Sequence, residues 1–277
     1  MLRDALGLRG AVGLHDARGL LGIARMGWRT PWVYRFDALV GLASIAVRVA
    51  LFILVWRALY VGHDTVNGVN EETAVGYAVL ALTVATALMP WPGAGIARRV
   101  RRGLIGVDLL RPPGLVAQTM AGQVGTGAAM LPRAAVGLAV GLAMGGLVPP
   151  AGFGAGVGFV VSLLLALVLG HLLTFVVSMT SFWTLEIGGL MMIYGMVSTF
   201  LAGGLVPLWL MPDWLRTLAE WLPFQASTFT PLAIYMGRPP GGLVAALGVQ
   251  VLWIAVLAGV SALVWRRAKY RVVVQGG

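Results

Sequence analysis

The sequence has no cysteine, and only 11% of its 277 residues are charged. Without cysteine the chain has neither a disulfide nor thiolate chemistry. Charged residues make up about 25% of an ordinary soluble domain, so their scarcity excludes that class. Apolar residues take their place, because 59% of the sequence is hydrophobic and the mean hydropathy is +0.88. This composition predicts a protein that crosses a membrane several times.

Catalytic and nucleotide-binding motifs are also missing from the sequence. It has no H-E-x-x-H or G-x-S-x-G motif, and its three histidines are too far apart to indicate a metal site. It has no G-x-x-x-x-G-K-[ST] loop, so the sequence predicts no P-loop nucleotide site in this chain. The net charge of +10 does not indicate nucleic-acid binding, because the basic residues alternate with apolar segments and have no aromatic-lined groove. We therefore predict a chain that is not an enzyme, with no catalytic, cofactor-binding or metal-binding residues and no nucleic-acid partner.

Apolar runs long enough to cross a bilayer occur six times. A hydrocarbon core of about 30 Å requires about 20 mostly apolar residues in a helix. Residues 115–148 exceed one upright span, and we divide them at Pro132 into an interfacial helix and a span, because proline interrupts helices. The predicted fold is an all-α polytopic membrane protein with six transmembrane helices at 36–60, 73–91, 132–148, 153–177, 187–206 and 243–265.

The charges in the loops orient these spans, because short cytoplasmic loops retain arginine and lysine. Basic residues concentrate before the first span, after the second and after the sixth, and these three places lie on one side of the membrane. The last loop of the opposite side has only Arg216 and Arg238. We therefore predict a multi-pass protein of the cell membrane with both termini in the cytoplasm.

The N-terminal residues form a separate predicted helix that lies in the membrane interface. Its arginines share one edge, opposite apolar side chains such as Leu20 and Trp28. A basic tail that only orients the first span is the alternative. The whole chain is one transmembrane domain in three parts: the interfacial helix at 1–35, the six-span bundle at 36–265 and a cytoplasmic tail at 266–277.

The densest charge lies in ARRVRRGLIGVDLLRPPG, residues 97–114, between the second and third spans. A helix over 96–110 would carry arginines on most of its surface and one apolar stripe formed by Ile96, Val100, Leu104 and Val107. Pro112 disfavours helix at the residue before it. A signal that only fixes topology would explain the arginines, but it would not explain the ordered residues that follow them.

The sequence GVDLLRP at 106–112 resembles the first cytoplasmic loop of the permease subunits of type-2 ATP-binding-cassette (ABC) exporters. The resemblance extends to the N-terminal interfacial helix and to the long exported stretch before the last span. In that family the loop is a coupling helix that docks into a separate ATPase subunit. The resemblance therefore assigns ATPase coupling to Arg98, Arg99, Arg101, Arg102, Gly106, Asp108, Leu109, Leu110, Arg111 and Pro112.

The same resemblance implies an assembly and a function. Two P-loop ATPase subunits would bind ATP and magnesium, and a second permease, either another copy or a related chain, would complete a dimer surrounded by membrane lipid. The expected function is export of an amphipathic small molecule, a peptide or a lipid-linked compound. A secondary transporter that needs no ATPase, or a membrane protein whose basic loop binds lipid headgroups, is the alternative.

The exported stretch 205–242 is cut into short helices by prolines. One helix is predicted at 213–222, capped by Asp213 and stabilised by a pair between Arg216 and Glu220. Such short apolar helices should return into the outer leaflet as a re-entrant helical hairpin, although an interfacial aromatic belt would also explain them. The residues assigned to this hairpin are Trp214, Trp221, Pro223, Phe224 and Pro231.

Polar residues within or next to the spans are candidates for the transport path. Arg48 falls at the centre of the first span, where a charge costs about 2.5–3.5 kcal/mol and should face protein or a wet cavity. A lone histidine in a span is more often hydrogen-bonded packing than a proton relay. The candidates are Arg48, Gln123, His171 and Glu186, and Gln250 is a weaker one.

Overall fold

A computed structural model of the chain describes residues 14–88, 94–110, 114–184 and 187–271. These residues are mostly helical, since a helix satisfies the backbone hydrogen bonds of an apolar segment within the segment itself. In chain order the helices are α1 (Leu14–Val33), α2 (Arg35–Tyr60), α3 (Glu71–Leu88), α4 (Ala94–Arg101), α5 (Ile105–Leu109), α6 (Leu115–Ala143), α7 (Phe153–Met179), α8 (Gly188–Leu201), α9 (Asp213–Glu220), α10 (Phe229–Tyr235) and α11 (Leu243–Ala268). Short 3₁₀ turns lie at Thr180–Phe182, Leu208–Leu210, Gln225–Ser227 and Lys269–Arg271.

A small β-hairpin, which the all-α prediction missed, joins α2 to α3. Its strands β1 (Thr65–Val66) and β2 (Val69–Asn70) pair antiparallel. The turn residues Asn67 and Gly68 have φ angles of 50° and 72°, a conformation that an Asn-Gly pair adopts with little strain. The side chain of Asn70 then accepts a hydrogen bond from the backbone N–H of Thr73 at 3.1 Å, which satisfies one of the free donors at the start of α3.

Four described helices are long and apolar enough to cross a membrane: Arg35–Tyr60, Leu115–Ala143, Phe153–Phe182 and Leu243–Arg271. They confirm the prediction of a multi-pass helical membrane protein. α3 and α8 lie where the second and fifth spans were predicted, but they have only 18 and 14 residues. The fifth span was predicted too long, because α8 ends at Leu201 and the chain turns at Gly203, whose φ is 75°.

The centre of the bundle is α3, which packs against α2, α6 and α10. Every residue from 74 to 84 is buried. The hydroxyl of Tyr77 donates a hydrogen bond to the carbonyl of Gly203 at 2.8 Å, and its ring lies edge-on to Trp209 at 5.4 Å. These contacts attach the exported turn after α8 to the core of the protein.

One continuous helix, α6, replaces the predicted division at Pro132, and that prediction was wrong. Its 29 residues make it about 43 Å long. Proline removes one backbone hydrogen bond, but the neighbouring helices hold α6 on both sides of it. A Cβ atom on Gly137 would lie 2.6 Å from Thr83 Cγ2, and one on Gly141 would lie 2.5 Å from Val79 Cγ1. These glycines let α3 pack closely enough to keep the helix intact.

The N-terminal helix α1 flanks the bundle and packs lengthwise on the first half of α6. Its arginines at 18, 25 and 29 are exposed, as the amphipathic pattern predicts. A Cβ atom on Gly27 would lie 2.7 Å from the carbonyl oxygen of Gly122, and one on Gly125 would overlap the backbone of Ala24. The two backbones therefore meet without side chains between them, which is the small-residue packing of membrane helices. The predicted residues 1–13 of this element lie outside the described ranges.

We predict that Gly125→Ala destabilises the protein, since the added methyl group must push α1 away from α6. The expected loss is about 1–3 kcal/mol, as for other overpacked sites, and it should appear as a lower melting temperature in detergent. Gly170→Ala in α7 is the matched control, because a Cβ atom there meets nothing within 4 Å and alanine favours a helix by about 0.5–1 kcal/mol. A Gly125→Ala variant that melts with or above the wild type would contradict the close backbone contact.

Candidate functional site

The basic loop after α3 folds into two short helices rather than the single helix predicted over 96–110. The reason is Gly103, whose φ of 66° is left-handed. The N–H of Gly103 bonds to the carbonyl of Val100 at 3.0 Å, and that of Leu104 bonds to the carbonyl of Arg99 at 2.9 Å. This pair of hydrogen bonds is the Schellman motif that ends a helix, and it separates α4 from α5.

Apolar side chains bind this loop to the ends of three long helices. Ile96 and Ile105 are buried in one cluster with residues from the start of α6, the end of α7 and the end of α11: Leu115, Phe175, Met179, Trp265 and Ala268. The predicted apolar stripe is therefore only half right. Ile96 is buried, whereas Leu104 is 41% exposed and Val107 is 55% exposed.

Asp108 lies inside the loop, where its side chain is only 1% exposed. Both of its carboxylate oxygens accept hydrogen bonds from the guanidinium of Arg99, one from Nε and one from Nη2. Its backbone carbonyl accepts a hydrogen bond from Gln118 Nε2 at 3.0 Å. The interpretation of Asp108 as a residue that touches a docking partner therefore needs correction. Asp108 instead ties α4, α5 and the start of α6 together.

The outer surface of the loop combines arginines with apolar side chains. Arg98, Arg101 and Arg102 are exposed. Leu104, Val107 and Leu110, which we call the apolar ridge, are 41%, 55% and 84% exposed. Gly106 lies between them and is half-buried. The side chain of Leu109 and the residues Arg111 and Pro112, which the sequence also assigned to coupling, lie outside the described part of the structure.

The candidates for the transport path do not form one site. Arg48 is exposed on α2 and makes no hydrogen bond or ion pair with the described residues. Gln123 is half-buried on α6. His171 on α7 is 4% exposed, and its Nδ1 lies 2.6 Å from the carbonyl oxygen of Leu167. Glu186 lies outside the described residues. The structure thus gives Arg48 and His171 different surroundings, and no described bond joins them.

A polar node that the sequence analysis did not predict joins α7, α11 and the 3₁₀ turn Gln225–Ser227. Ser162 Oγ donates to Gln250 Oε1 at 2.8 Å. Gln250 Nε2 donates to the carbonyl of Ala226 at 2.8 Å and to that of Ser162 at 3.1 Å. Ser162 and Gln250 are fully buried. Gln250 had been singled out as a polar residue in a span, but a lone serine in an apolar helix gives no signal that identifies its partner.

The segment 205–242, which the sequence predicted to be exported, has an exposed part and a buried part. At α9, Trp214, Leu218 and Trp221 are spaced to share one side of a helix and are 70%, 48% and 78% exposed. Asp213 was expected to cap this helix, but Pro212 precedes it and no side-chain cap forms. Asp213 instead lies 3.4 Å from Arg216. The predicted pair of Arg216 with Glu220 is confirmed at 3.7 Å.

The second part of the exported segment packs inside the bundle. Six consecutive residues of α10, 229–234, are buried, and they include Pro231 in its first turn. Pro223 and Phe224 are half-buried before it, and the ring of Phe224 lies 6.3 Å from that of Tyr194. Burial raises the pKa of Tyr235, so its hydroxyl stays protonated and donates to the carbonyl of Val148 at 2.8 Å.

The end of the bundle opposite the basic loop is acidic. A cavity of about 760 Å³ there is lined by Asp64, Glu71 and Glu72, together with Arg57 and His63. Arg57 lies 3.7 Å from Glu71 and donates a hydrogen bond to the carbonyl of Met144 at 2.8 Å. Arg57 thus connects the end of α2 to the end of α6 and to α3. The three carboxylates that line the cavity outnumber its one arginine.

The comparison with known families agrees with this architecture. A family model described as "ABC-2 family transporter protein" matches residues 46–276, which is most of the chain and includes the basic loop, the polar node and the exported segment. No curated protein shows significant similarity to the chain.

We predict that Asp108→Asn destabilises the fold, because the Arg99 guanidinium loses its charged partner while the amide stays buried. The expected loss is about 1–3 kcal/mol, measured by thermal unfolding in detergent. The matched control is Asp213→Asn, whose side chain is 93% exposed and whose loss should have almost no effect. Equal melting temperatures for the two variants would show that the buried ion pair does not stabilise the loop.

We also predict that Gln250→Leu weakens the packing of the exported segment, because the carbonyl of Ala226 then loses its partner inside the protein. A buried group left without a hydrogen bond costs about 1–3 kcal/mol. The double variant with Ser162→Ala should lose less than the sum of the two single variants. Gln123→Leu is the control, since the Gln123 side chain makes no hydrogen bond to the described residues. Strict additivity in thermal unfolding would argue against a single node.

Proposed function

The chain belongs to the ABC-2 family of transporter proteins, and on this premise we propose that it is the permease of an ATP-driven exporter. Membership makes it a membrane component of an ABC transporter that associates with a separate ABC ATPase. Export, the route of coupling and the cargo are the finer parts of the proposal. ATP and magnesium belong to the ATPase subunits, of which two would serve a pair of permeases.

The proposal depends on one observation about the basic loop: one side of it is anchored by buried residues, and its other side exposes apolar residues. Ile96 and Ile105 attach the loop to α6, α7 and α11, whereas the apolar ridge faces outward on the same short segment. A soluble protein rarely leaves such a ridge open, and a row of exposed apolar residues next to arginines is typical of a docking surface. The ridge would enter a groove of the ATPase, and Arg98, Arg101 and Arg102 would line its edge.

Coupling would then work by displacement of helix ends. ATP binding brings the two ATPase subunits together, and each ridge moves with the subunit that holds it. The ends of α6, α7 and α11 move too, because the apolar cluster and Asp108 root the loop in them. The helices so displaced would open the path between two permeases toward the exported side.

The proposed topology has six spans, formed by the four long helices together with α3 and α8. The loop between α3 and α6 and the end of α11 would face the cytoplasm, because cytoplasmic segments retain basic residues. α9 and α10 would form the re-entrant hairpin, with the tryptophans of α9 in the outer leaflet. The arginines of α1 and of the loop would contact anionic lipid headgroups.

The exposed apolar surface of the bundle supports the proposals for the cargo and for the partner permease. α2 and α8 leave apolar side chains exposed along their length, and such faces suit a second permease, either another copy or a related chain, and an amphipathic cargo between the two. We propose an amphipathic small molecule, peptide or lipid-linked compound as the cargo.

The test is Leu110→Asp. Leu110 is 84% exposed, so the variant should fold like the wild type, but a carboxylate cannot enter an apolar groove of the ATPase without loss of hydration. An anchor residue contributes about 2 kcal/mol to the binding free energy, and losing that contribution would weaken ATPase binding more than tenfold. Co-purification of the ATPase with the tagged permease from membranes measures the effect.

The matched control is Leu218→Asp on α9, which introduces the same charge at another exposed leucine, 48% exposed, and should leave ATPase binding unchanged. Retention of the ATPase by Leu110→Asp would contradict docking through the ridge. So would labelling of a cysteine introduced at position 110 by an impermeant reagent added outside intact cells.

A further inference from the structure

Arg48 is an exposed charge in the middle of a membrane span. It lies 13 residues after Arg35 and 12 before Tyr60, which places it about 18–20 Å from either end of α2. Its side chain is too short to bring the guanidinium to the headgroups from that depth. No described residue bonds to it, although charges in spans are almost always paired or face water. Arg48 therefore needs water or a counter-charge that the described residues do not provide.

The described carboxylates of a second copy cannot supply that counter-charge at the same depth. Eight of the ten acidic residues in the sequence are described, and each lies near an end of its helix or in a loop: Asp16, Asp37, Asp64, Glu71, Glu72, Asp108, Asp213 and Glu220. Two copies in one membrane have the same orientation, so their carboxylates lie at the same depths. Among the charged residues that the structure describes, a homodimer would therefore offer Arg48 only another arginine at mid-membrane.

The face of α2 that carries Arg48 is chemically complementary to an amphipathic ligand. Ser44, Leu51 and Val55 lie on the same side as Arg48, one and two turns away, and all are exposed. A guanidinium presents several N–H donors that match the oxygens of a phosphate, sulfate or carboxylate. The leucine and valine beside it would contact an alkyl chain.

The charges at the two ends of the bundle also favour an anionic cargo that enters at the end with the basic loop. Arg98, Arg101 and Arg102 are exposed at the end with the basic loop, and Asp64, Glu71 and Glu72 line the cavity at the opposite end. An anion is attracted to the first end and repelled from the second. The basic end would thus concentrate an anionic cargo for loading, and the energy of ATP hydrolysis would move it past the carboxylates at the other end.

We infer that Arg48 binds the anionic headgroup of an amphipathic cargo midway along the transport path. This inference rests on the proposed function, because it assumes that the exposed face of α2 lines the path between two permeases. It narrows the cargo to amphipaths with a phosphate, sulfate or carboxylate group. A carboxylate from a different permease chain would be the other source of the same chemistry.

The first experiment measures ATP hydrolysis by the permease–ATPase complex in lipid nanodiscs with three probes of equal chain length: dodecyl phosphate, dodecanol and dodecyltrimethylammonium. We expect dodecyl phosphate to stimulate hydrolysis most. Arg48→Gln should raise the half-maximal concentration of dodecyl phosphate about tenfold or more, since a hydrogen bond to a charged group is lost. Arg48→Lys should change it much less. Arg35→Gln, which removes an exposed arginine at the start of the same helix, is the control.

The second experiment needs no ATPase. Because the chain lacks cysteine, Ser44→Cys can carry a single fluorophore one turn from Arg48. We expect a spin-labelled alkyl phosphate to quench it more than the corresponding alcohol does, and Arg48→Gln to remove the difference. Leu54→Cys, exposed on another side of α2, reports quenching by probe dissolved in the lipid.

The outcomes distinguish failure of the proposed ATPase coupling from failure of the anion site at Arg48. If no ATPase binds but the quenching depends on Arg48, the proposed coupling fails and the anion site stands. If the ATPase binds but Arg48→Gln alters neither stimulation nor quenching, the anion site is wrong and the proposed function stands. Unchanged selectivity for dodecyl phosphate, together with loss of a co-purifying second permease in Arg48→Gln, would assign Arg48 to a fixed ion pair and overturn the inference.

Discussion

The ion pair between Arg99 and Asp108 gives the basic loop a single shape, and the proposed coupling to an ATPase would depend on that shape. α5 has five residues, and isolated helices shorter than about 12–15 residues are marginal in water. Tertiary contacts must therefore hold it. Asp108 provides them in two directions, through its carboxylate to Arg99 in α4 and through its carbonyl to Gln118 in α6. A loop fixed in this way moves together with the helices that anchor it.

The loop also lies across the junction of two groups of helices. α1, α2, α3 and α6 pack tightly through glycines, with Gly125 against α1 and Gly137 and Gly141 against α3. α7 and α11 form a second group with the exported segment, joined by the polar node at Gln250. α4 packs on the end of α7, whereas α5 is bonded to α6. A force on the ridge would therefore act on both groups where they meet.

The sequence predicted what depends on composition and missed what depends on single contacts. Long apolar runs identified three of the four candidate spans, Arg35–Tyr60, Phe153–Phe182 and Leu243–Arg271, because hydropathy accumulates over about 20 residues. Helical periodicity could not show that Gly103 would be left-handed and end α4 through local hydrogen bonds. It also could not show that Asp108 would be buried against Arg99 and Gln118. The prediction of a break at Pro132 was wrong because glycines before and after it let neighbouring helices pack closely on α6. That packing supports a helix that would break in isolation. Ser162 had no signal at all until the fold placed it beside Gln250.

The treatment of arginine elsewhere in the chain explains why Arg48 stands apart. Arg99 is paired with Asp108. Arg57 donates a hydrogen bond to the backbone carbonyl of Met144 and lies near Glu71. Arg238 donates to the carbonyl of Gly68 and lies 5.9 Å from the ring of Trp209. Each of these residues stabilises a contact within the fold. Arg48 stabilises none that the described residues show, yet a charge at mid-membrane costs about 2.5–3.5 kcal/mol, a considerable part of a total stability of about 5–15 kcal/mol. No described contact offsets this cost, so Arg48 differs from these three arginines in having no structural role that the described residues show.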